Sequence, residues 1–290
     1  MPVTPRPGGY PWPIGQVPKS PSAVILAGMH SIQTPHFLIA DGRVQPRVSR
    51  GISNELADHI AAELVPLGLV PDGRAFERIF VDAVLSARPD PERAWTDFYG
   101  NTLHELRRAD PAGTGSVAAF ARIYERALPL VRGTTVLDVG CCFGFLPMLA
   151  AERNPRLKVI GTDLVPATAA LAGASPADAA GRARFAAADL LALPAGDQAL
   201  DTVLAVHVLE HLPAGVTVLA LAELCRVARR RVVVAVPLEE VPDPAFGHLQ
   251  AFSLARLARL GADAPGWSHT VSAADGGWLV LDRAAHSPFG

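Results

Sequence analysis

Two short stretches hold the side chains best able to take up a proton or hold a cation: His207, and then Glu239, Glu240, Asp243 and His248. An unperturbed imidazole has a pKa of about 6.5, so it is mostly neutral at pH 7 and can accept a proton. His248 follows an acidic loop, Pro237-Leu238-Glu239-Glu240 with Asp243, inside the run Gly247-His248-Leu249-Gln250-Ala251-Phe252. That makes His248 the first candidate for a catalytic base and His207 the second, with ligand contact or shape-setting as the other use of His207. A purely structural use of His248, pinning its own loop, stands beside the first. The three acids and His248 are also a conceivable divalent-cation set. Carboxylates on one loop mostly face solvent, however, and no second ligand cluster is evident in the sequence, so no metal is expected.

These groups need a scaffold, and the stretch Val136 to Gly144, VLDVGCCFG, is where the chain announces one. Thr135 to Val139 is a β-branched apolar run that reads as a buried parallel strand. It breaks at Gly140 into a turn of small residues. A helix is expected from Phe145 to Asn154, with Pro147 in its first turn and Asn154-Pro155 as its stop. Strand, glycine turn and helix let a backbone approach a nucleotide-bearing ligand closely. An ordinary tight βα turn would look the same locally. Asp163 lies 19 residues beyond Gly144 (163 − 144), close to the separation expected between such a loop and a ribose-binding acid. A carboxylate there can accept both hydrogens of a ribose diol, or it can simply cap the helix that follows at Val165.

The spacing Asp138, Gly140, Cys142, Gly144 resembles motif I of the class I S-adenosylmethionine-dependent methyltransferases, which usually have a third glycine where Cys142 stands. Further features follow in that family's order: Asp163-Leu164, Asp189-Leu190, Val208-Leu209-Glu210-His211-Leu212, and the His248 loop. The resemblance covers roughly residues 115 to 285. It implies that the glycine turn, Asp163 with Leu164, and Asp189 with Leu190 bind the cofactor. In that scheme Asp189 accepts from the adenine amine and its apolar neighbour lies along the ring. His207 falls just past the carboxyl end of a strand, at the edge of the ligand crevice, and His248 near the acceptor pocket. His211 reads as the start of the next helix. More finely, the run Cys142 to Pro147 (CFGFLP) and the ending Gly276 to Arg283 (GGWLVLDR) resemble the mycofactocin oligosaccharide methyltransferases of actinobacteria.

Around this core the chain divides into an extended arm over residues 1–22, an N-terminal extension over 23–114 that covers the cleft, and a methyltransferase domain over 115–290. The arm is rich in proline and glycine. In the extension, Ala23 to Ala27, Phe37 to Ala40 and Arg43 to Val48 read as strands, with an Asp41-Gly42 turn, and Asn54 to Leu64 and Arg74 to Ser86 as amphipathic helices. Trp95 to Leu103, WTDFYGNTL, gathers three aromatics. Their faces suit a sulfonium, a purine or a sugar, or simply a helix seam. Tyr99 is the residue of this stretch assigned to the cofactor, with Tyr124 on the helix Ser116 to Val131 a second candidate. Downstream, strands are expected at Lys158 to Gly161, Arg184 to Ala187, Ala199 onward and Val232 to Val236. An alanine-rich helix and loop are expected at Pro166 to Ala180, and helices at Ala214 to Arg226, with a basic end at Arg229 to Arg231, and Ser253 to Leu260. A terminal hairpin follows. The fold expected is α/β, a Rossmann-like seven-stranded, mostly parallel sheet with an antiparallel terminal hairpin, plus the N-terminal helical and β extension.

Composition narrows function. A net charge of −2 with no Lys/Arg-rich block argues against nucleic-acid binding. No apolar run reaches membrane-span length and Ala23 to Ala27 is too short for a signal-peptide core, so a cytoplasmic location is expected. Adjacent Cys141 and Cys142 with a lone Cys225 make neither a disulfide framework nor a zinc set. Heavy use of alanine, arginine and proline fits a GC-rich, actinobacterial coding bias. The expected activity is S-adenosylmethionine-dependent O-methylation of a glycan or small-molecule hydroxyl. Nitrogen, carbon or carboxylate acceptors, and a catalytically silent cofactor-binding partner, are the alternatives.

Overall fold

The structure, a computed structural model, describes residues 31–40, 43–47, 51–175 and 182–284. The expected arm, the strand Ala23 to Ala27 and the Asp41-Gly42 turn lie outside the described residues. A small antiparallel sheet comes first, with β1 (Ile32–Gln33), β2 (Phe37–Ala40) and β3 (Arg43–Pro46) in that order. Four helices follow: α1 (Leu56–Glu63), α2 (Gly73–Ser86), α3 (Pro91–Arg108) and α4 (Ser116–Ala127). Asp72 and Asp90 start α2 and α3 by accepting from backbone N–H groups of the first turn, as N-cap residues do. WTDFYGNTL lies wholly within α3.

The second half alternates strand and helix: β4 (Thr135–Val139), α5 (Phe145–Arg153), β5 (Lys158–Asp163), α6 (Pro166–Ala174), β6 (Ala183–Ala187), β7 (Leu200–Val206), α7 (Thr217–Val227), β8 (Ala228–Val236), α8 (Leu254–Ala262), β9 (Trp267–Ala273) and β10 (Gly277–Arg283). Their order in the sheet is β6-β5-β4-β7-β8-β10-β9. Strands β4 to β8 pair in parallel, while β10 runs antiparallel to both β8 and β9. This is the mostly parallel seven-stranded sheet with an antiparallel terminal pair that the sequence pattern predicts. Every residue of β7 is buried, as expected of a strand covered on both faces. The chain builds outward from β4 to β6 and then returns to lay β7 on the other side of β4. Ligands of open α/β sheets bind at this switch point, outside the carboxyl ends of the strands.

One expected element is different. Arg229 to Arg231 do not end a helix, because α7 stops at Val227 and the three arginines belong to β8. The pairing of β7 with β8 slips between Leu200 and Thr202, so Arg229 and Arg230 both face Asp201. Asp201 is 1% exposed; its Oδ2 accepts from the backbone N–H groups of Thr134 and Thr135, and its Oδ1 from both guanidiniums. Arg231 turns instead to Asp282 on β10. The arginines therefore tie β7, β8 and β10 at the end of the sheet opposite the ligand crevice.

Candidate functional site

The turn after β4 is shaped by steric demand. Gly140 has φ +68° and a Cβ there would lie 2.6 Å from Val208 Cγ2; Gly144 has φ +76° and its Cβ would meet the Phe185 ring at 2.4 Å. Only glycine fits either position. Cys142 also sits in left-handed backbone, at φ +48°, where a side chain is strained. The position that holds a glycine in motif I is thus one that favours glycine here too, and the thiol adds strain as well as bulk.

Asp163, the last residue of β5, accepts from Cys142 N at 2.9 Å through Oδ2 and from Val165 N at 2.9 Å through Oδ1. The helix-capping and loop-facing uses of this acid therefore coexist, and a carboxylate keeps further lone-pair sites for a ligand. Burial raises its carboxyl against the pull of those two N–H groups. Leu164 beside it is 52% exposed at the mouth of the crevice. Asp138, on β4 below the loop, is buried, and burial together with the Asp163 charge pushes its carboxyl well above the usual range. Past β6, Asp189 is exposed and caps a short 3₁₀ turn through Leu191 N. Leu190, expected along a ligand ring, instead packs into the core with Leu193 and Leu209. The 3₁₀ turn rotates it inward and leaves Leu191 exposed.

The N-terminal helices reach this loop. Phe143 stacks near Phe80 of α2 at 5.6 Å and packs against Trp95 and Phe98 of α3 at 5.8 and 5.0 Å. Tyr99 is 1% exposed and wedged between Phe98 and Phe145, so its ring face is a core contact and offers no stacking surface. Its hydroxyl, however, has no protein partner, and its phenol is raised by burial and by the nearby Cys142 and Cys141 thiols. A hydrogen-bonding role at the loop is what the geometry leaves to Tyr99. Tyr124, the second aromatic candidate, packs against Phe120, with its phenol raised by burial and by Asp138. Sequence reasoning missed Glu77 of α2, whose carboxyl is pushed up to about 7 by burial and by the Asp163 charge. Helical spacing shows an acid on the polar face of α2 but not what that face is turned toward.

The second half of the site lies at the ends of β7 and β8. His207 follows β7 in left-handed backbone, φ +56°, with its N–H donated to Ala235 O of β8. The chain then makes a 3₁₀ turn, Leu209–His211, rather than entering a helix directly. Burial depresses His207 to about 4 and raises Glu210 to about 8. Glu210 is 0% exposed, and neither of its carboxylate oxygens has a hydrogen-bond partner. His207 Nδ1 comes within 3.3 Å of Glu210 Oε1 without hydrogen-bond geometry, and His207 Nε2 is unpaired.

His248 arrives from the loop after β8. Its Nδ1 lies 2.9 Å from Glu239, and its ring packs against that of His211 at 5.1 Å. Gln250, 5% exposed, fastens the two loops by donating from Nε2 to Leu209 O at 2.7 Å and Leu212 O at 2.8 Å, while Leu249 N donates to Glu210 O. The acidic loop does not assemble as one ligand set. Asp243 caps a 3₁₀ turn through Ala245 N, Glu240 is exposed, and only Glu239 turns to His248. His207, Glu210, His211 and His248 thus share one end of the sheet with the glycine turn, Asp163 and Asp189. The cradle of small residues, the acid held against it and the orphaned Tyr99 hydroxyl fit a nucleoside-bearing cofactor.

Residues 136–231 match the family model described as a methyltransferase domain. Among solved structures, the [4+2]-cyclase SpnF is 17% identical over 61% of this chain and 86% of its own, with a TM-score of 0.50. Magnesium protoporphyrin IX methyltransferase (ChlM) from Synechocystis PCC 6803, with bound SAH, is 18% identical over 65% of this chain and 98% of its own, with a TM-score of 0.48. A SAM-dependent methyltransferase from Aquifex aeolicus is 18% identical over 62% and 97%, with a TM-score of 0.46. At 17% identity the likeness to the cyclase speaks to fold alone. No curated protein matches the chain. Among the described residues, no helix is long and apolar enough to cross a membrane.

Proposed function

We propose, from the match of residues 136–231 to a methyltransferase-domain model and from a sheet with the class I strand order, that this protein is an S-adenosylmethionine-dependent O-methyltransferase acting on a glycan or small-molecule hydroxyl. When bound, S-adenosylmethionine supplies a sulfonium methyl, already a good electrophile. The Gly140 to Gly144 turn, Asp163, Leu164 and Asp189 are the residues that would hold it, with Asp138, Tyr99 and His207 nearby.

The observation that carries the hydroxyl reading is the polar cluster of His207, Glu210, His211 and His248 at the carboxyl ends of β7 and β8. A hydroxyl proton must leave as the new bond forms, because an alkyl alcohol is about as weakly acidic as water, with a pKa of about 15.7. A carboxylate acceptor, already ionised at neutral pH, has no such need. Glu239 holds the Nδ1 side of His248, so the other nitrogen is the one free to face an acceptor. Phe246, Leu238 and Leu249 stand partly exposed along the same loop and offer apolar faces suited to the C–H face of a sugar ring. The sequence resemblance at Cys142 to Pro147 and Gly276 to Arg283 favours the mycofactocin oligosaccharide among glycans.

The test is incubation of an actinobacterial metabolite extract with methyl-labelled cofactor, followed by mass spectrometry. A labelled, methylated oligosaccharide or alcohol is expected, and His248→Ala should lower its rate of formation by about 10² to 10⁴ with cofactor affinity within a few-fold. Label appearing on an amine, carbon or carboxylate instead would overturn the hydroxyl assignment.

A further inference from the structure

The geometry points to a divalent transition-metal site of the zinc class formed by Glu210, His211 and His248, with its remaining positions open to the acceptor's oxygen; we propose it as an addition to the methyltransferase reading, on which it rests. Three observations converge on it. One ligand atom from each of the three side chains lies within 4.8 Å of the other two, so a small collapse brings them to a common ion. Glu210 is fully buried yet has both carboxylate oxygens unpartnered, which is costly for any buried carboxyl group and is relieved by an ion.

Each imidazole, moreover, has its Nδ1 anchored on a neighbouring oxygen. His248 Nδ1 faces the Glu239 carboxylate at 2.9 Å and His211 Nδ1 faces the Gly247 carbonyl at 3.2 Å. Carboxylate and carbonyl oxygens only accept, so both Nδ1 atoms carry a proton, and in the neutral imidazole each Nε2 keeps the lone pair. A histidine whose second nitrogen is anchored to a carboxylate or backbone carbonyl is the usual form of a metal-binding histidine. Two imidazoles and one carboxylate are a donor set suited to Zn²⁺ with an open coordination position, and unsuited to Mg²⁺, which prefers oxygen. The backbone fixes the set from two sides: Leu249 N donates to Glu210 O at 2.8 Å, and Gln250 ties the same loop to Leu209 and Leu212. In the loaded protein the His248 Nε2 lone pair is an ion ligand, which replaces the proton-accepting role read from the sequence.

The test uses metal-free full-length protein titrated with Co²⁺, a spectroscopic stand-in for Zn²⁺, alongside thermal unfolding with and without Zn²⁺. One equivalent of Co²⁺ should develop visible ligand-field absorption, and Zn²⁺ should raise the unfolding temperature saturably. Glu210→Gln keeps the shape and relieves the buried carboxylate, so it should fold; it and His211→Ala should each weaken Co²⁺ binding at least about a hundredfold. A wild-type protein that binds S-adenosylhomocysteine but gives no Co²⁺ spectrum and no Zn²⁺ shift overturns the site and leaves the methyltransferase reading standing. Undiminished binding in both variants also overturns it, and would move the ion to His36, His59 and Glu63, the other such group among the described residues. Co²⁺ bound through Glu210 and His211 in a protein that does not bind S-adenosylhomocysteine supports the site and removes the reading it was added to.

Discussion

Gln250→Met separates the hydrogen bonds that join the two loops of the site from the space they occupy. Methionine has nearly the length and volume of glutamine, so little cavity is created and the loss is polar. Gln250 Nε2 is the donor to Leu209 O and Leu212 O, and its Oε1 accepts from Thr217 Oγ1 and Arg256. Leu209 O keeps one partner, Leu212 N at 3.2 Å, which softens its loss. An orphaned buried carbonyl costs about 1 to 3 kcal/mol, so one full and one partial loss at the two carbonyls give about 2 to 4 kcal/mol, a lower bound because Thr217 and Arg256 each lose a partner too. Urea unfolding should report this as a lower midpoint at unchanged slope. The change is local, so amide exchange at Leu249, whose N–H is held by Glu210 O, should accelerate while amides of β7 stay protected. Turnover should fall with S-adenosylhomocysteine affinity nearly kept, because the glycine turn and Asp163 are on other loops. A stability change under about 0.5 kcal/mol with unaltered exchange at Leu249 would refute the idea that Gln250 sets the site's geometry.

Other substitutions probe the scaffold and the cofactor side. Asp201→Asn should cost about 3 kcal/mol at pH 7, at the low end for a buried pair because Arg229 and Arg230 are half exposed. The Asp201 carboxyl is held well below the usual range by backbone N–H groups and by both arginines, against the effect of burial. Its contribution is therefore complete above the unfolded value of about 3.9 and is lost as pH falls from there through the folded value, so the stability gap between wild type and variant should narrow in acid. Cys142→Gly should fold with stability within about 1 kcal/mol of wild type, relieved strain being offset by a freer unfolded chain, whereas Cys142→Val should lose about 1 to 3 kcal/mol; a well-tolerated valine would contradict the left-handed assignment. Asp163→Ala should weaken S-adenosylhomocysteine binding about tenfold or more by calorimetry, and an unchanged affinity would move the ribose contact elsewhere.

What the sequence made legible follows from local physics. The bounds of β4, the helix after it and the order of strands come from apolar β-branched runs punctuated by glycine and proline, signals that tertiary packing reinforces. The placement of Asp163 at the end of β5 followed from spacing along one βαβ unit. Residues whose roles depend on distant partners were illegible. Glu210 reads as one letter of a familiar stretch, and only the approach of the His248 loop makes its buried carboxylate the centre of a cluster. Gln250 looks like a loop glutamine until two carbonyls on another loop meet it. Arg229 to Arg231 resemble a basic helix end because their partners lie far along the chain, Asp201 being 28 and 29 residues before Arg229 and Arg230 and Asp282 51 residues beyond Arg231. Leu190 lies inward and not along a ring, and of the two uses open to the aromatic stretch the ring of Tyr99 takes the helix seam.

The central claim, that the cleft at the carboxyl ends of β4 to β8 takes S-adenosylmethionine, is tested most directly by isothermal calorimetry of the full-length protein with S-adenosylhomocysteine and, separately, with NAD⁺. One equivalent of S-adenosylhomocysteine should bind with micromolar-range affinity, about −8 kcal/mol, and NAD⁺ should give no heat of binding. Binding of NAD⁺, or a folded protein that binds neither S-adenosylhomocysteine nor S-adenosylmethionine, would contradict the account.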